Sequence, residues 1–195
     1  MRKINLVPTV LAFTVTSLTA QTNWSVDKSH SKVGFSVSHL VISEVEGYFK
    51  DYDAEIITKG DDFSTAVIDF TIDAKSIFSD NEMRDNHLRS DDFFNAEKFP
   101  KMIFKGKSLK KIAGDKYKLI GDLTIRDITK RVELDVEYNG IIKDPWGNTK
   151  AGFKITGEIN RFDYNLKWNT TLETGGLVVG KEVDLNINLE LVKKS

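Results

Sequence analysis

The chain has 195 residues, 40% hydrophobic and 29% charged, with 28 basic against 29 acidic side chains, three His and no Cys. That length suits one all-β domain, and the apolar share is large enough for a core, which excludes a disordered chain. Balanced charge leaves no single-sign field for nucleic acid, and the missing Cys excludes disulfides, thiolate metal sites, Fe–S clusters and cysteine nucleophiles.

Arg2 and Lys3 precede a short apolar stretch, Ile4 to Leu18, which ends in Thr19-Ala20. A basic start, an apolar middle and a small residue at the cut describe a secretory signal peptide. The expected organisation is therefore 1–20 signal peptide and 21–195 mature domain, exported to the periplasm. A membrane anchor is the other reading. It is disfavoured because the stretch is short for a span of about 20 apolar residues and contains Pro8. With no Cys after the cut, a lipoprotein anchor is excluded.

Alternation governs the rest of the chain. Val33, Phe35, Val37 and His39 share one face of an extended run, opposite Lys32, Ser36 and Ser38. The same period of two recurs over 48–56, 66–72, 102–106, 117–125, 132–138, 151–159 and 183–191, about eight strands in all. Short turn signals between them, Lys59-Gly60-Asp61-Asp62, Ala113-Gly114-Asp115, Asn139-Gly140 and Asp144-Pro145-Trp146-Gly147-Asn148, imply antiparallel neighbours. One segment breaks the pattern: Ser79-Asp80-Asn81-Glu82 has the form of a capping box opening a helix over about 81–88, and Ser90 to Ala96 suggests a further helical turn carrying Phe93 and Phe94.

A sheet with one apolar face must hide that face and its edges, so the fold class is all-β, an antiparallel barrel of about eight strands with a short helical insertion. A membrane barrel shows the same alternation with apolar residues outward, but the chain lacks clear aromatic girdles. The inner wall is expected from Phe35, Val37, Phe70, Phe104, Leu123 and Phe153, interspersed with Ala54, Ala66, Gly106, Gly121, Ala151 and Gly157. Small residues there either leave a cavity open or are filled by neighbouring Phe. Arg84, Asp85, His87 and Asp92 belong to the helical insertion. Arg84 or His87 can meet a polar head at the barrel mouth, or Arg84 and Asp85 can pin the helix to the wall; His39, on the first strand, is a further ligand-binding candidate or, with His30, a hydrogen-bonding residue there. His30, His39 and His87 lack the spacing of a zinc site, so no metal is expected. Trp146 is expected to pack its own turn. No hydrolase elbow, P-loop or dinucleotide fingerprint is present, so no cofactor and no enzyme activity are expected.

Ordered blocks then carry a resemblance. Trp24-Ser-Val-Asp27-Lys-Ser-His30-Ser31 with Val33-Gly-Phe35-Ser-Val37-Ser-His39 resembles the opening of the YceI-like family. Asn81-Glu-Met-Arg84-Asp85-Asn-His87-Leu88-Arg-Ser90-Asp-Asp92-Phe93-Phe94, followed by Phe99-Pro100-Lys-Met-Ile-Phe104, is similar to its most distinctive stretch. Gly121-Asp-Leu123-Thr124-Ile125, Arg161-Phe-Asp163-Tyr164-Asn165 and Val179-Gly180-Lys-Glu-Val183 continue the match. Asp127 and Asn165 stand where Gly is usual, at turn positions that tolerate left-handed backbone. The resemblance implies a lipocalin-like barrel, exported by bacteria, holding a polyisoprenoid or similar long-chain amphiphile, with peripheral or no membrane contact and a possible homodimer. The alternative it leaves open is an envelope enzyme acting on a lipid head group through Arg84, Asp85 and His87.

Overall fold

The computed structural model describes residues 20–171 and 177–194. Residues 1–19, on which the expected signal peptide rests, lie outside them. Eleven strand segments form one antiparallel sheet: β1 (Gln21–Val26), β2 (Lys32–His39), β3 (Ser43–Phe49), β4 (Tyr52–Lys59), β5 (Asp62–Asp73), β6 (Ile77–Phe78), β7 (Lys101–Ala113), β8 (Lys116–Ile125), β9 (Ile128–Lys143), β10 (Thr149–Asn160) and β11 (Val179–Lys193). The segments reduce to eight long strands. β11 pairs with β2 over Val183–Asn188 and with β1 at Leu191–Lys193, so β1 and β2 lie end to end as one strand broken at 27–31. β3 and β4 follow the same line, paired to β2 and β1 respectively, and β6 and β5 follow them in turn. Sheet order then equals chain order, and the β1–β11 pairing closes an up-and-down barrel.

Ionic contacts hold the break between β1 and β2. Asp27 accepts from the Ser29 amide at 3.0 Å and meets the His30 ring at 3.0 Å, while Lys150 Nζ reaches Asp27 at 3.0 Å and Glu190 at 2.6 Å. Elsewhere the alternation decides what faces where. Apolar positions such as Ala54, Ile56, Phe70, Met102, Leu119, Leu134 and Ile155 are buried inside. The outer face carries cross-strand ion pairs, among them Lys105–Asp69, Lys107–Asp122 and Lys118–Asp135. Such exposed pairs contribute under about 1 kcal/mol each, whereas each large buried apolar side chain contributes about 2 kcal/mol, so the interior decides the fold. Apolar inside and charged outside is the reverse of a membrane barrel. Among the described residues no helix is long and apolar enough to cross a membrane.

The two ends differ. At the end where β5 begins, aromatic rings close the barrel: Phe63 lies 4.9 Å from Trp24, 4.8 Å from Phe153 and 5.8 Å from Tyr138. Trp24 is fully buried, and its indole N–H donates to the Thr58 hydroxyl at 2.9 Å. At the other end sits the helix α1 (Glu82–Arg89) with the segments 90–99 and 161–171. Its N-cap differs from the expected capping box. Asn81 accepts from the Arg84 amide, while the Ser79 hydroxyl is engaged by Asp85 and Arg84 instead. Ser90 to Ala96 forms irregular turns rather than a helical turn, with Phe93 buried and Phe94 half-buried. Asn165 does adopt the left-handed backbone expected of it (φ 60°), but in the β8–β9 turn that conformation falls on Arg126 (φ 56°), not on Asp127. Trp146 is corrected too: its ring is 82% exposed, and the turn is held by Asp144, which accepts from Trp146 and Asn148 amides.

Candidate ligand-binding site

The barrel axis holds an apolar cavity of about 210 Å³ that runs between the aromatic floor and α1. Phe63 and Phe153 face it at the floor; Leu88, Phe93 and Phe94 face it below the mouth. Between Phe63 and Ile72, both on β5 and both in the lining, lie about 30 Å of strand, so the space is a tunnel rather than a bubble. Phe35, Val37, Phe70, Phe104, Leu123 and Phe153 all line it.

The small residues do not make this space. A methyl on Gly121 would fall on the Phe104 ring, one on Gly106 on Ile68, and one on Gly157 on Leu134. Of the two readings left open by the sequence, filling by larger neighbours holds at these three positions. The tunnel is what remains along the axis after they are filled.

A second cavity of about 420 Å³ forms a vestibule at the mouth. It shares Phe35, Val37, Leu88, Phe93 and Val179 with the tunnel lining, and its own wall adds His39, Asn81, Arg84, His87 and Trp168. Thus His39 at the end of β2 comes together at one opening with Arg84 and His87, one turn apart on α1. His87 meets Asp92 at 2.9 Å, and its ring stands edge-on to Phe93 and Trp168 at 5.1 and 4.9 Å. Arg84 donates from Nε to the Ser79 hydroxyl at 2.8 Å and from a terminal nitrogen to the Ser79 carbonyl at 2.5 Å.

Asp85 does not join them. Its carboxylate is 3% exposed and accepts from both the Ser79 amide (2.8 Å) and hydroxyl (2.5 Å). Arg84, Asp85 and His87 therefore do not converge on a reacting point: Asp85 pins the helix start, and His87 is paired elsewhere. His30 is likewise separate, lying with Asp27 and Glu190 beside the break in the first strand. Val179, paired with His39, and Glu190 are eleven positions apart on β11, about 35 Å of strand, so the three His cannot share a metal. The Asp27–His30–Glu190 group has the ligand types for a cation, but the Lys150 ammonium already bridges its two carboxylates.

One residue was not legible as part of this region. Arg161 is 4% exposed and, among the described residues, is the sole charged side chain in the tunnel lining. Its guanidinium donates to the carbonyls of Gly180 (2.7 Å), Leu166 (2.5 Å), Trp168 (2.9 Å) and Val179 (3.0 Å), and lies 4.6 Å from the Phe162 ring. Burial pulls it down to about 10. Five planar donors let one side chain tie the 161–168 segment to the start of β11, fixing the mouth wall. Only the Arg161-Phe-Asp163-Tyr164-Asn165 block in the sequence marks the place. Arg126 does similar work, donating to Asp91, Phe93 and Asn165 carbonyls and pairing the Asp91 carboxylate at 2.9 Å.

Comparison with known proteins agrees with this architecture. The UPF0312 protein SA2479 of Staphylococcus aureus is 41% identical over 170 residues, spanning 87% of this chain and 96% of that protein. The YCEI protein of Campylobacter jejuni, solved as a crystal structure, is 38% identical with a TM-score of 0.67, covering 87% of this chain and 96% of that one. A polyisoprenoid binding domain from Saccharophagus degradans shares the fold at a TM-score of 0.62 with 16% identity, over 88% of this chain and 98% of that domain. The family model of the YceI-like domain matches residues 24–191, which is nearly the whole described barrel, and the chain belongs to that family.

Proposed function

We propose that this chain is an exported, non-catalytic carrier that holds a long-chain amphiphile, a polyisoprenoid or similar lipid, in the barrel interior. The observation that carries this reading is the closed barrel's apolar tunnel opening into a polar-rimmed vestibule. The tail lies against Phe35, Val37, Phe70, Phe104, Leu123 and Phe153; the head lies in the vestibule near His39, Arg84 and His87. At about 0.8 kcal/mol per buried methylene, about fifteen methylenes give about 12 kcal/mol before the costs of binding. That is enough for retention without any reactive group. The Saccharophagus degradans domain of the same fold is named for polyisoprenoid binding, which supports the same ligand class here. Export to the periplasm is part of the proposal and rests on the pattern of residues 1–20.

Organic extraction of the purified protein followed by mass spectrometry tests it. A co-purified long-chain amphiphile, or uptake of an added isoprenoid, is expected. Absence of both, reproducibly, ends the carrier reading. Cell fractionation with N-terminal sequencing tests export, with a mature protein starting near Gln21 as the expected result.

A further inference from the structure

We infer that the tip of the β2–β3 hairpin, Leu40-Val41-Ile42, together with Met83 on α1, is a shallow docking surface for a lipid bilayer, through which the amphiphile enters the vestibule. This inference rests on the carrier reading above. Leu40, Val41, Ile42 and Met83 are 37%, 69%, 86% and 84% exposed. They sit where the ligand must pass. His39 and Val45, in the two strands of the hairpin, line the vestibule, as does Met83 itself, and Leu40 N–H donates to the Val178 carbonyl at 2.9 Å, tying the tip to the mouth wall.

The backbone makes the choice of residues more telling. Leu40 and Val41 both adopt left-handed backbone, with φ of 53° and 67°. Gly or Asn would relieve that strain and be better solvated, and a β-branched residue is the costliest occupant. Retaining aliphatic side chains there carries two penalties at once, strain and exposure, which is the pattern expected where a local sacrifice serves a contact.

The chemistry favours a bilayer over a protein partner. Protein interfaces concentrate energy in Trp, Tyr and Arg seated in pockets, whereas this tip is three consecutive aliphatics on a protruding turn. Polar residues bound it on both sides, Ser38 and His39 before and Ser43 and Glu44 after. They limit insertion to the outer acyl layer, about 5–10 Å, with His39, Arg84 and His87 at head-group level. From there Val45, Val178 and Val179 continue as apolar surface into the tunnel, so a tail can move from acyl layer to barrel without crossing bulk water.

The experiment uses a fluorescent long-chain isoprenoid embedded in phosphatidylcholine vesicles and follows its transfer to the purified protein. Wild-type transfer is expected to rise in proportion to vesicle concentration, as collision requires. The double variant Val41→Asn, Ile42→Asn keeps residues that accept the turn, so it should melt no lower than wild type. It should transfer at least tenfold more slowly, at a rate independent of vesicle concentration, and fail to float with vesicles. Its affinity for the same probe added from ethanol should be unchanged. Equal transfer rates and equal flotation for both proteins would overturn the docking surface and leave the carrier intact. A wild type that takes the probe from ethanol yet neither floats nor shows concentration dependence would assign the tip to a protein contact instead, which also overturns it. If neither protein binds the probe from ethanol, the carrier reading itself fails, and the docking surface with it.

Discussion

Asp27 shows how one carboxylate can fix a break in a barrel strand. The hydrogen bond with His30, then those from Lys150 and the Ser29 amide, hold its carboxyl at about 2, below the ordinary 3.8. Lys150 is correspondingly pushed up by Glu190 and Asp27. A depressed carboxyl stabilises the fold above the unfolded value and loses that contribution as pH falls through the folded one. Asp27→Asn should therefore cost about 1–2 kcal/mol at pH 7, and the difference from wild type should shrink between about pH 4 and pH 2. Urea unfolding at several pH values checks this; a constant difference down to pH 2 would refute it. Gly121 makes a second point at the same scale. Any side chain there meets the Phe104 ring and the Lys105 carbonyl, so Gly121→Ala should destabilise by about 1–3 kcal/mol although it adds a single methyl to a strand. An unchanged melting temperature would show that the ring turns aside freely.

Among the elements, the strands and the helix were legible and the residue that caps the helix was not. Alternation marks a strand whatever its partners, because successive side chains face opposite sides of a sheet. The breaks at 27–31, at Lys50-Asp51 and at Ala74–Ser76 left that alternation largely intact, so the eight-strand count survived although eleven segments are present. At the helix, Ser79 and Asn81 are both acceptable caps by residue type. What decides between them is Asp85, whose carboxylate turns inward and takes both the hydroxyl and the amide of Ser79, leaving Asn81 to cap. No local pattern distinguishes a buried Asp from the exposed acids around it, and Arg161, equally buried, is hidden for the same reason. Asp85→Ala leaves two buried donors unpaired and should cost about 2–3 kcal/mol. Hydrogen exchange should quicken at the α1 amides before it does so in β7–β10. If α1 protection is unaltered, the helix is held chiefly by Leu88 and the rest of its packing.

At the scale of the whole molecule, closure of the barrel follows from the strand pattern, but the length of the space inside does not. That length depends on which aromatic rings reach the axis, and alternation says only which face each occupies. Phe63 is the ring that sets the floor: it lines the tunnel and is backed by Trp24, Tyr138 and Phe153 at 4.9, 5.8 and 4.8 Å. The tunnel therefore takes a tail of limited length, with any further length held in the vestibule or exposed. Replacing Phe63 by Ala removes six ring carbons, room for about one more five-carbon unit. Competition binding with isoprenoid alcohols of increasing length should show affinity rising with length and then levelling off for wild type. For Phe63→Ala the plateau should lie about five carbons later. The variant without ligand should lose about 3–5 kcal/mol of stability, partly restored by the longer tail that fills the gap. Phe63→Leu, which leaves a smaller gap, should fold more readily and shift the plateau less. If the plateau stays in place in both variants while binding persists, the tail does not reach the aromatic floor.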